Sequence, residues 1–159
     1  KGKNNKKNPK TYTSAKKVVL KKPTRKGYAF KGWYTNSNYT KKITSIKKGS
    51  KKNYTVYAKW SKVKVKKTTG LKVTNTKGKN LVVKYSKVSG AKGYQITYAT
   101  NSKFTKSKKV VNTTKRTKTI KKLKKGKTYY VRVRAYKKDS TGRKVYGKYS
   151  KVMKVKITK

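Results

Sequence analysis

The chain has 159 residues, of which 52 are Lys or Arg and one is acidic, giving a formal net charge of +51 at pH 7. It contains no Cys, His or Glu, so disulfides, paired-carboxylate catalysis, a Ser-His-Asp triad and an ordinary metal cluster are excluded. We therefore expect a non-enzymatic protein with no cofactor and no metal.

The apolar residues favour strands over helices. High charge with low hydrophobicity is also typical of disorder, but 14 Tyr, 2 Trp and 2 Phe, together with periodic Val and Ile runs, indicate folded domains. Val, Ile, Thr and Tyr suit strands, and the absence of Glu disfavours helices. The composition predicts an all-β protein with a lysine-covered surface. No apolar run is long enough to span a membrane, and without an initiator Met or signal peptide we expect a piece of a longer protein.

The first third of the chain predicts a small aromatic sheet. Residues 1–7 are polar and aperiodic and are interpreted as a linker. Residues 18–20 predict a short strand, residues 27–34 an aromatic strand between glycine turns, and residues 54–60 an alternating closing strand.

Specific blocks in residues 8–60 carry a family resemblance. These blocks are Asn8-Pro9, Tyr12-Thr13, Pro23-Thr24-Arg25-Lys26-Gly27-Tyr28-Ala29-Phe30-Lys31-Gly32-Trp33-Tyr34, Ile46-Lys47-Lys48-Gly49-Ser50 and Tyr57-Ala58-Lys59-Trp60. Together they resemble a Listeria–Bacteroides repeat, the internalin-type B repeat of bacterial surface proteins. The resemblance implies a small β-grasp-like sheet that serves as a spacer or adhesion module, and we assign Trp33 and Trp60 structural roles. This copy departs from the pattern in lacking acids.

The remainder predicts a β-sandwich. Residues 61–68 are interpreted as a linker or as the lead-in to the next strand, and we place the domain boundary there. Seven strand-like runs follow at short spacing, which is typical of a sandwich. They cover residues 71–74, 80–86, 93–100, 108–111, 117–121, 128–136 and 148–157.

The run at 128–136 is the clearest strand of the chain. Its period of two predicts one apolar face and one wet, basic face. The apolar face carries Tyr129, Val131, Val133 and Ala135, and the basic face carries Tyr130, Arg132, Arg134 and Tyr136.

This run and its neighbours resemble a fibronectin type III domain over residues 69–159. The segment 123–135 is similar to strand F of that family, with Tyr129 as the residue of its tyrosine corner. Residues 88–96 resemble the B–C region, and residues 146–150 resemble the start of strand G. Tyr85 stands where the family usually has a Trp, for which we expect a modest loss of core packing. The resemblance implies a seven-stranded immunoglobulin-like sandwich from a secreted or cell-surface protein of a Gram-positive type bacterium.

The only acid, Asp139, is predicted to be a turn residue within Lys-Lys-Asp-Ser-Thr-Gly. A Lys–Asn crosslink within a domain requires a buried acid, and the sequence offers no candidate with a buried position.

The charge predicts polyanion binding. It is spread over the whole chain, with 19 basic residues in 1–60 and 33 in 61–159, and it consists of 47 Lys and 5 Arg. Lys acts as a mobile point charge whereas Arg recognises geometry, so we expect salt-dependent binding without sequence specificity. The candidate partners are nucleic acid, teichoic acid, sulfated or acidic glycans, or an acidic protein.

One patch concentrates the arginines and is our candidate polyanion-binding site. It comprises Arg132, Arg134, Lys137, Lys138, Arg143 and Lys144. On the same wet face, Tyr130 and Tyr136 are candidates for stacking on bases or sugars.

Two alternatives remain open at this point. The domains form a structural fibre or stalk, as a homopolymer paired through open sheet edges, with the charge balanced by an acidic partner. Alternatively, the chain is an engineered variant in which lysines replaced the acids of natural modules.

Overall fold

The computed structural model describes residues 2–159, so the first residue of the predicted 1–7 linker lies outside it. These residues form strands and no helix, and the prediction of an all-β protein is confirmed. None of them lies in a helix that is long and apolar enough to cross a membrane. The strands are β1 (Val18–Val19), β2 (Tyr28–Tyr34), β3 (Lys42–Ile43), β4 (Ser45–Ile46), β5 (Tyr57–Lys62), β6 (Lys72–Thr76), β7 (Asn80–Lys84), β8 (Gly93–Ala99), β9 (Lys109–Thr113), β10 (Thr117–Ile120), β11 (Thr128–Lys138), β12 (Lys144–Tyr146) and β13 (Met153–Lys156).

The chain divides into two compact units, and the division falls between Val63 and Lys64. The first unit runs to Val63 and also includes Lys138–Arg143, and the second consists of Lys64–Lys137 and Lys144–Lys159. The predicted 61–68 stretch divides between the two units, and residues 63–71 lie in no strand. Its first residues belong to β5 of the first unit, and Thr68 is fully buried in the second unit, where its Oγ1 accepts a 3.0 Å hydrogen bond from Ala135 N.

The first unit is built on a three-stranded antiparallel sheet with the order β3-β2-β5. The pairing of β2 with β5 shifts between Phe30 and Gly32, which is a β-bulge. Phe30 contacts Trp33 and Trp60 with ring centroids 5.4 Å apart in both pairs. Trp33 is buried, and its Nε1 donates to Lys21 O at 3.1 Å, so the two tryptophans frame the aromatic centre of the sheet.

The described part of the predicted N-terminal linker is held to the first unit. Lys3 forms an isolated antiparallel bridge with Thr24, with backbone hydrogen bonds of 2.7 and 2.9 Å. Asn5 Nδ2 donates to Lys22 O at 3.1 Å. Polar residues without periodicity resembled a linker in sequence, but they use their backbone and amide groups to pair with the 21–24 segment.

The second unit is a pair of antiparallel sheets, one with the order β10-β7-β6 and one with the order β12-β11-β8-β9, in which β13 also pairs with β11. Alternating side chains from β7, β8 and β11 build its core, because every second residue points inward. Val83, Ile96, Val131 and Val133 are fully buried. The sandwich expected from the sequence is thereby confirmed.

The last predicted strand, 148–157, differs from the observed arrangement. The chain pairs with β11 first as β12 and again as β13, and residues 147–152 between them are irregular. Gly147 packs so closely that a Cβ there would lie 2.6 Å from Lys66 O. Ser150 remains attached to β11, since it exchanges hydrogen bonds with Val133, through Ser150 N to Val133 O and Val133 N to Ser150 Oγ.

Candidate functional site

Arg132 projects from the outer face of β11 and lies between two aromatic rings. Its Cζ is 4.0 Å from the ring centroid of Phe104 and 4.0 Å from that of Tyr149. Its Nε is the one buried side-chain nitrogen or oxygen in residues 2–159 that has no hydrogen-bond partner. Stacking on two π-faces compensates the charge electrostatically, so most of this guanidinium is committed to its neighbours.

Arg134 continues the stack along the same face. Its Cζ is 3.9 Å from the ring centroid of Tyr146 and 4.6 Å from that of Tyr149. Nε and Nη2 of Arg134 both donate to Gln95 Oε1, at 2.9 and 2.7 Å, and Gln95 Nε2 donates to Tyr146 Oη at 3.3 Å. We call the alternating set the arginine–aromatic stack; its members are Phe104, Arg132, Tyr149, Arg134 and Tyr146.

The two tyrosines expected as stacking platforms are less available than the sequence indicated. Tyr130 is half-buried. Tyr136 is buried, contacts Tyr146 with ring centroids 5.9 Å apart, and lies under Lys144, whose Nζ is 4.7 Å from the ring centroid. A Cβ at Gly93 would approach Tyr136 Oη to 2.6 Å. Tyr136 therefore packs within its own unit, and its faces are already occupied.

The six candidate polyanion-binding residues fall into different environments. Arg132, Arg134, Lys137 and Lys144 belong to the second unit, whereas Lys138 and Arg143 belong to the first. Lys138, Arg143 and Lys144 are exposed, and Lys137 is half-buried. The sequence correctly placed both arginines on the outer face of β11, but it carried no signal for the rings that enclose them.

Asp139 occupies a turn, as predicted, but it is buried in the first unit with 7% of its surface exposed. The expectation that no acid has a buried position is therefore corrected. Its Oδ2 accepts a 2.7 Å bond from Gly27 N. Its Oδ1 accepts bonds of 2.8 Å from Thr141 N, 2.6 Å from Thr141 Oγ1 and 3.1 Å from Arg143 N.

These hydrogen bonds determine the protonation state of Asp139. Burial acts to raise the pKa of the carboxyl, but the bonds from Gly27, Thr141 and Arg143 stabilise the carboxylate and lower its pKa below the ordinary value. The negative charge of Asp139 is therefore stabilised by hydrogen bonds within the first unit.

The lysines form a nearly uniform exposed layer in both units. Every lysine among residues 2–159 is exposed except Lys137. Because the single acidic side chain is buried, the ionised side chains on the surface are cationic. Such a surface attracts anions over a Debye length rather than at one contact.

The residues with predicted structural roles are well packed. Tyr129 is buried, and its Oη accepts a 3.3 Å bond from Lys124 N, which closes a corner before β11. Tyr85 is buried against Tyr94 with ring centroids 4.7 Å apart, and its Oη donates to Lys115 O at 2.8 Å. The phenol thus finds a polar partner at the edge of the core.

Comparison with known proteins agrees with this division of the chain. The Listeria-Bacteroides repeat domain matches residues 1–59, and the fibronectin type III domain matches residues 66–148. No curated protein is significantly similar in sequence. β13 lies beyond the matched residues and still pairs with β11.

One solved structure shows the same sandwich fold. The chicken CNTN1 FN1-FN3 domains superpose with a TM-score of 0.51 at 20% identity, over 66% of this chain and 35% of that one, so the chain spans about a third of the length of that protein. An Fn3-like protein from Clostridium thermocellum has a TM-score of 0.46 at 23% identity, over 58% of this chain and 92% of that one.

Both families are typical of extracellular or surface proteins, and fibronectin type III domains are typically non-catalytic scaffold modules. The fibronectin type III match covers more than half of the chain, and the two-sheet architecture of the second unit agrees with it. The chain therefore belongs to the fibronectin type III family and carries a Listeria-Bacteroides repeat domain before the sandwich.

Proposed function

We propose that this chain is a non-enzymatic, highly cationic module of the cell surface or extracellular space of a Gram-positive type bacterium. It binds polyanions such as DNA, teichoic acid or anionic glycans electrostatically and without sequence specificity. The observation that carries the proposal is the exposed lysine layer, in which a buried Asp139 leaves the surface without acidic side chains.

The chemistry of the layer favours sequence-blind binding. Ordinary protein surfaces mix both signs of charge, whereas this one presents ammonium groups over both units. A Lys side chain offers three rotatable donors on a flexible stem and does not select a fixed ligand geometry. Arg132 and Arg134, which could read base edges or carboxylates, are engaged in the arginine–aromatic stack.

A salt titration tests the proposal. Binding of the whole chain to double-stranded DNA, heparin and a neutral polysaccharide is measured by fluorescence anisotropy, with light scattering on the same samples. We expect affinity for both polyanions to fall by about 10³–10⁵ between roughly 50 and 200 mM salt, as for a protein that makes several phosphate contacts.

The neutral polysaccharide is the control and should not bind at any salt concentration. A nanomolar affinity for one DNA sequence that does not respond to salt would contradict the sequence-blind mechanism. Failure to bind either polyanion at low salt would overturn the proposal.

A structural fibre or stalk is the second candidate function, supported by one feature of the sheet. β9 is the last strand in its sheet order and exposes 46% of Val110. An open edge can pair with another chain, but the neighbouring Lys108 and Lys109 repel a second copy. This candidate therefore requires an acidic partner, and it predicts ordered oligomers in light scattering only when that partner is present.

A further inference from the structure

A basic cleft of about 500 Å³ opens on one side of the second unit. Five of its eleven lining residues are lysines: Lys109, Lys121, Lys122, Lys124 and Lys127. All five are exposed. None of them is among the six candidate polyanion-binding residues named above.

The unit that contains the cleft provides no compensating charge. Asp139, the only acidic side chain of the protein, is assigned to the first unit. The five lysines therefore line one concavity without a carboxylate side chain of their own unit. Like charges gathered in a concavity focus the electrostatic potential, so an anion gains more there than on a convex surface.

One wall of the cleft is anchored to the sandwich, and the loop at the other wall is closed by its own hydrogen bonds. On one wall, the buried Leu123 donates its backbone N–H to Lys79 O at 3.0 Å, and Gly126 N donates to Ile157 O at 2.8 Å. Thr100 and Ser107 on the other wall bound a loop in which Asn101 Oδ1 accepts bonds from Thr105 N and Lys106 N at 3.0 and 2.9 Å. A site whose walls are fixed before binding loses less entropy when a ligand enters.

Two residues at the cleft hold a backbone conformation that is unusual for residues with side chains. Ser107 has φ 48° and Lys122 has φ 59°, both in the left-handed region, and both line the cleft. Such conformations persist when surrounding contacts over-determine them, and they concentrate at ligand sites.

The floor of the cleft adds hydroxyl donors. Tyr98 and Tyr129 line it, with ring centroids 6.2 Å apart. Burial, followed by the neighbouring Tyr129, raises the pKa of Tyr98 above its ordinary value, so the phenol is protonated over the whole working pH range. Thr128 and Ser107 supply further hydroxyl groups to the lining.

From this arrangement we propose that the cleft is a discrete binding site for a compact polyanion that carries several phosphate or sulfate groups. The inference rests on the proposed polyanion-binding function and deepens it, because it assigns the tightest contact to one place in the second unit. A free oligophosphate and the end of an anionic polymer share this chemistry.

The test uses the whole chain with inorganic tripolyphosphate at about 150 mM NaCl, where charges more than about 8 Å apart are largely screened. A cleft triple variant, Lys109→Gln, Lys124→Gln and Lys127→Gln, is compared with a control triple variant, Lys72→Gln, Lys84→Gln and Lys118→Gln. The control lysines are exposed on the β10-β7-β6 sheet and do not line the cleft. Both variants lose the same charge.

We expect the cleft triple variant to bind tripolyphosphate at least about tenfold more weakly than the control triple variant, because charge-assisted contacts are lost only there. In the unmodified chain, NMR amide shifts on adding tripolyphosphate should concentrate in residues 98–109 and 121–129. These shifts provide a second readout that does not require any variant to fold. A heparin-derived oligosaccharide as competitor distinguishes a polymer end from a free oligophosphate.

Equal weakening in both triple variants, with shifts spread over all lysines, would overturn the cleft and leave the proposed function standing. If tripolyphosphate fails to bind at this salt concentration while DNA still binds in a salt-sensitive way, the cleft proposal is also overturned and the proposed function stands. Absence of binding to every polyanion at low salt would overturn both.

Discussion

Asp139 is the only acidic side chain of the protein and is also one of its few buried polar groups. It accepts hydrogen bonds from three backbone N–H groups and one hydroxyl. Removing a buried acceptor leaves those donors unsatisfied, which costs more than a typical hydrogen bond is worth. A residue that in sequence resembled an ordinary turn former therefore organises part of the first unit.

We predict that Asp139→Asn lowers the free energy of unfolding of the first unit by about 1–3 kcal/mol at pH 7. Asn retains the shape and one carbonyl oxygen, but its amide group cannot accept the bonds made by the second oxygen. Denaturant unfolding followed by fluorescence of Trp33 and Trp60, which both lie in this unit, measures the change.

The same residue predicts the acid response of the protein. The pKa of Asp139 in the folded state lies below its ordinary value of 3.8. Its contribution to stability should therefore be complete above that ordinary value and disappear as pH falls through the folded pKa. No other side chain titrates in this range, since the chain has no His and no other acid.

Unfolding of the first unit measured from about pH 7 down to about pH 2 tests this response, because the range covers the titration of a carboxyl. The unmodified protein should lose stability only at the acidic end, whereas Asp139→Asn should show no pH dependence. An equally steep acid transition in the variant would show that another process causes it.

At the scale of the element, the two faces of β11 have different roles, one in the core and one in the arginine–aromatic stack. Its inward side chains, including the fully buried Val131 and Val133, build the core. Its outward arginines hold Tyr146 and Tyr149 of the following segment by stacking. The basic face of this strand thus contributes to cohesion of the sheet rather than presenting free charge.

We predict that the charge-conserving double variant Arg132→Lys and Arg134→Lys destabilises the second unit by about 1–2 kcal/mol, because an ammonium group replaces a planar cation between two rings. Affinity for DNA should remain unchanged, since the net charge does not change. Thermal unfolding by circular dichroism and DNA anisotropy give the two readouts.

Arg116→Lys is the matched control, because Arg116 is exposed and lies in the same unit. It should alter neither readout. A large loss of DNA affinity in the double variant with unchanged stability would instead assign the two arginines a direct role in binding.

The sequence predicts the features of β11 that depend on neighbouring residues, but not the contacts that join residues far apart in sequence. Strict alternation in 128–136 was sufficient to predict the strand and the faces of Arg132 and Val133, because the two-residue period is local. The rings around Arg132 come from Phe104 and Tyr149, which no local pattern connects. Likewise, Asp139 is buried through Gly27, 112 residues away in sequence. Four of the cleft lysines are neighbours in 121–127, but Lys109 joins them from β9 only through the fold.

At the scale of the whole molecule, a charge of +51 opposes the compact state in both units. We predict that the unfolding midpoint of each unit rises as NaCl increases from about 10 to about 100 mM, over which the Debye length falls from about 30 to 10 Å. Differential scanning calorimetry measures both transitions.

Sorbitol at equal osmolality serves as the control for effects that do not involve charge. Since the repulsion is between cations spread over each unit, added salt should stabilise far more than sorbitol. A midpoint that is insensitive to salt would mean that bound anions already neutralise the surface.

The exposure of the lysines also bears on how long the protein survives near proteases that cleave after basic residues. Exposed lysines occur within strands, such as Lys84 at the end of β7 and Lys118 inside β10, as well as in turns. A peptide bond that is paired in a sheet does not enter a protease until the sheet opens, so cleavage depends on the population of the open state. Once a unit opens, almost every stretch of chain presents a cut site, and when closing is faster than cleavage the rate of cutting follows the population of the open state. The lifetime of the chain outside a cell would then follow from the free energy of opening of each unit rather than from hiding its cleavage sites.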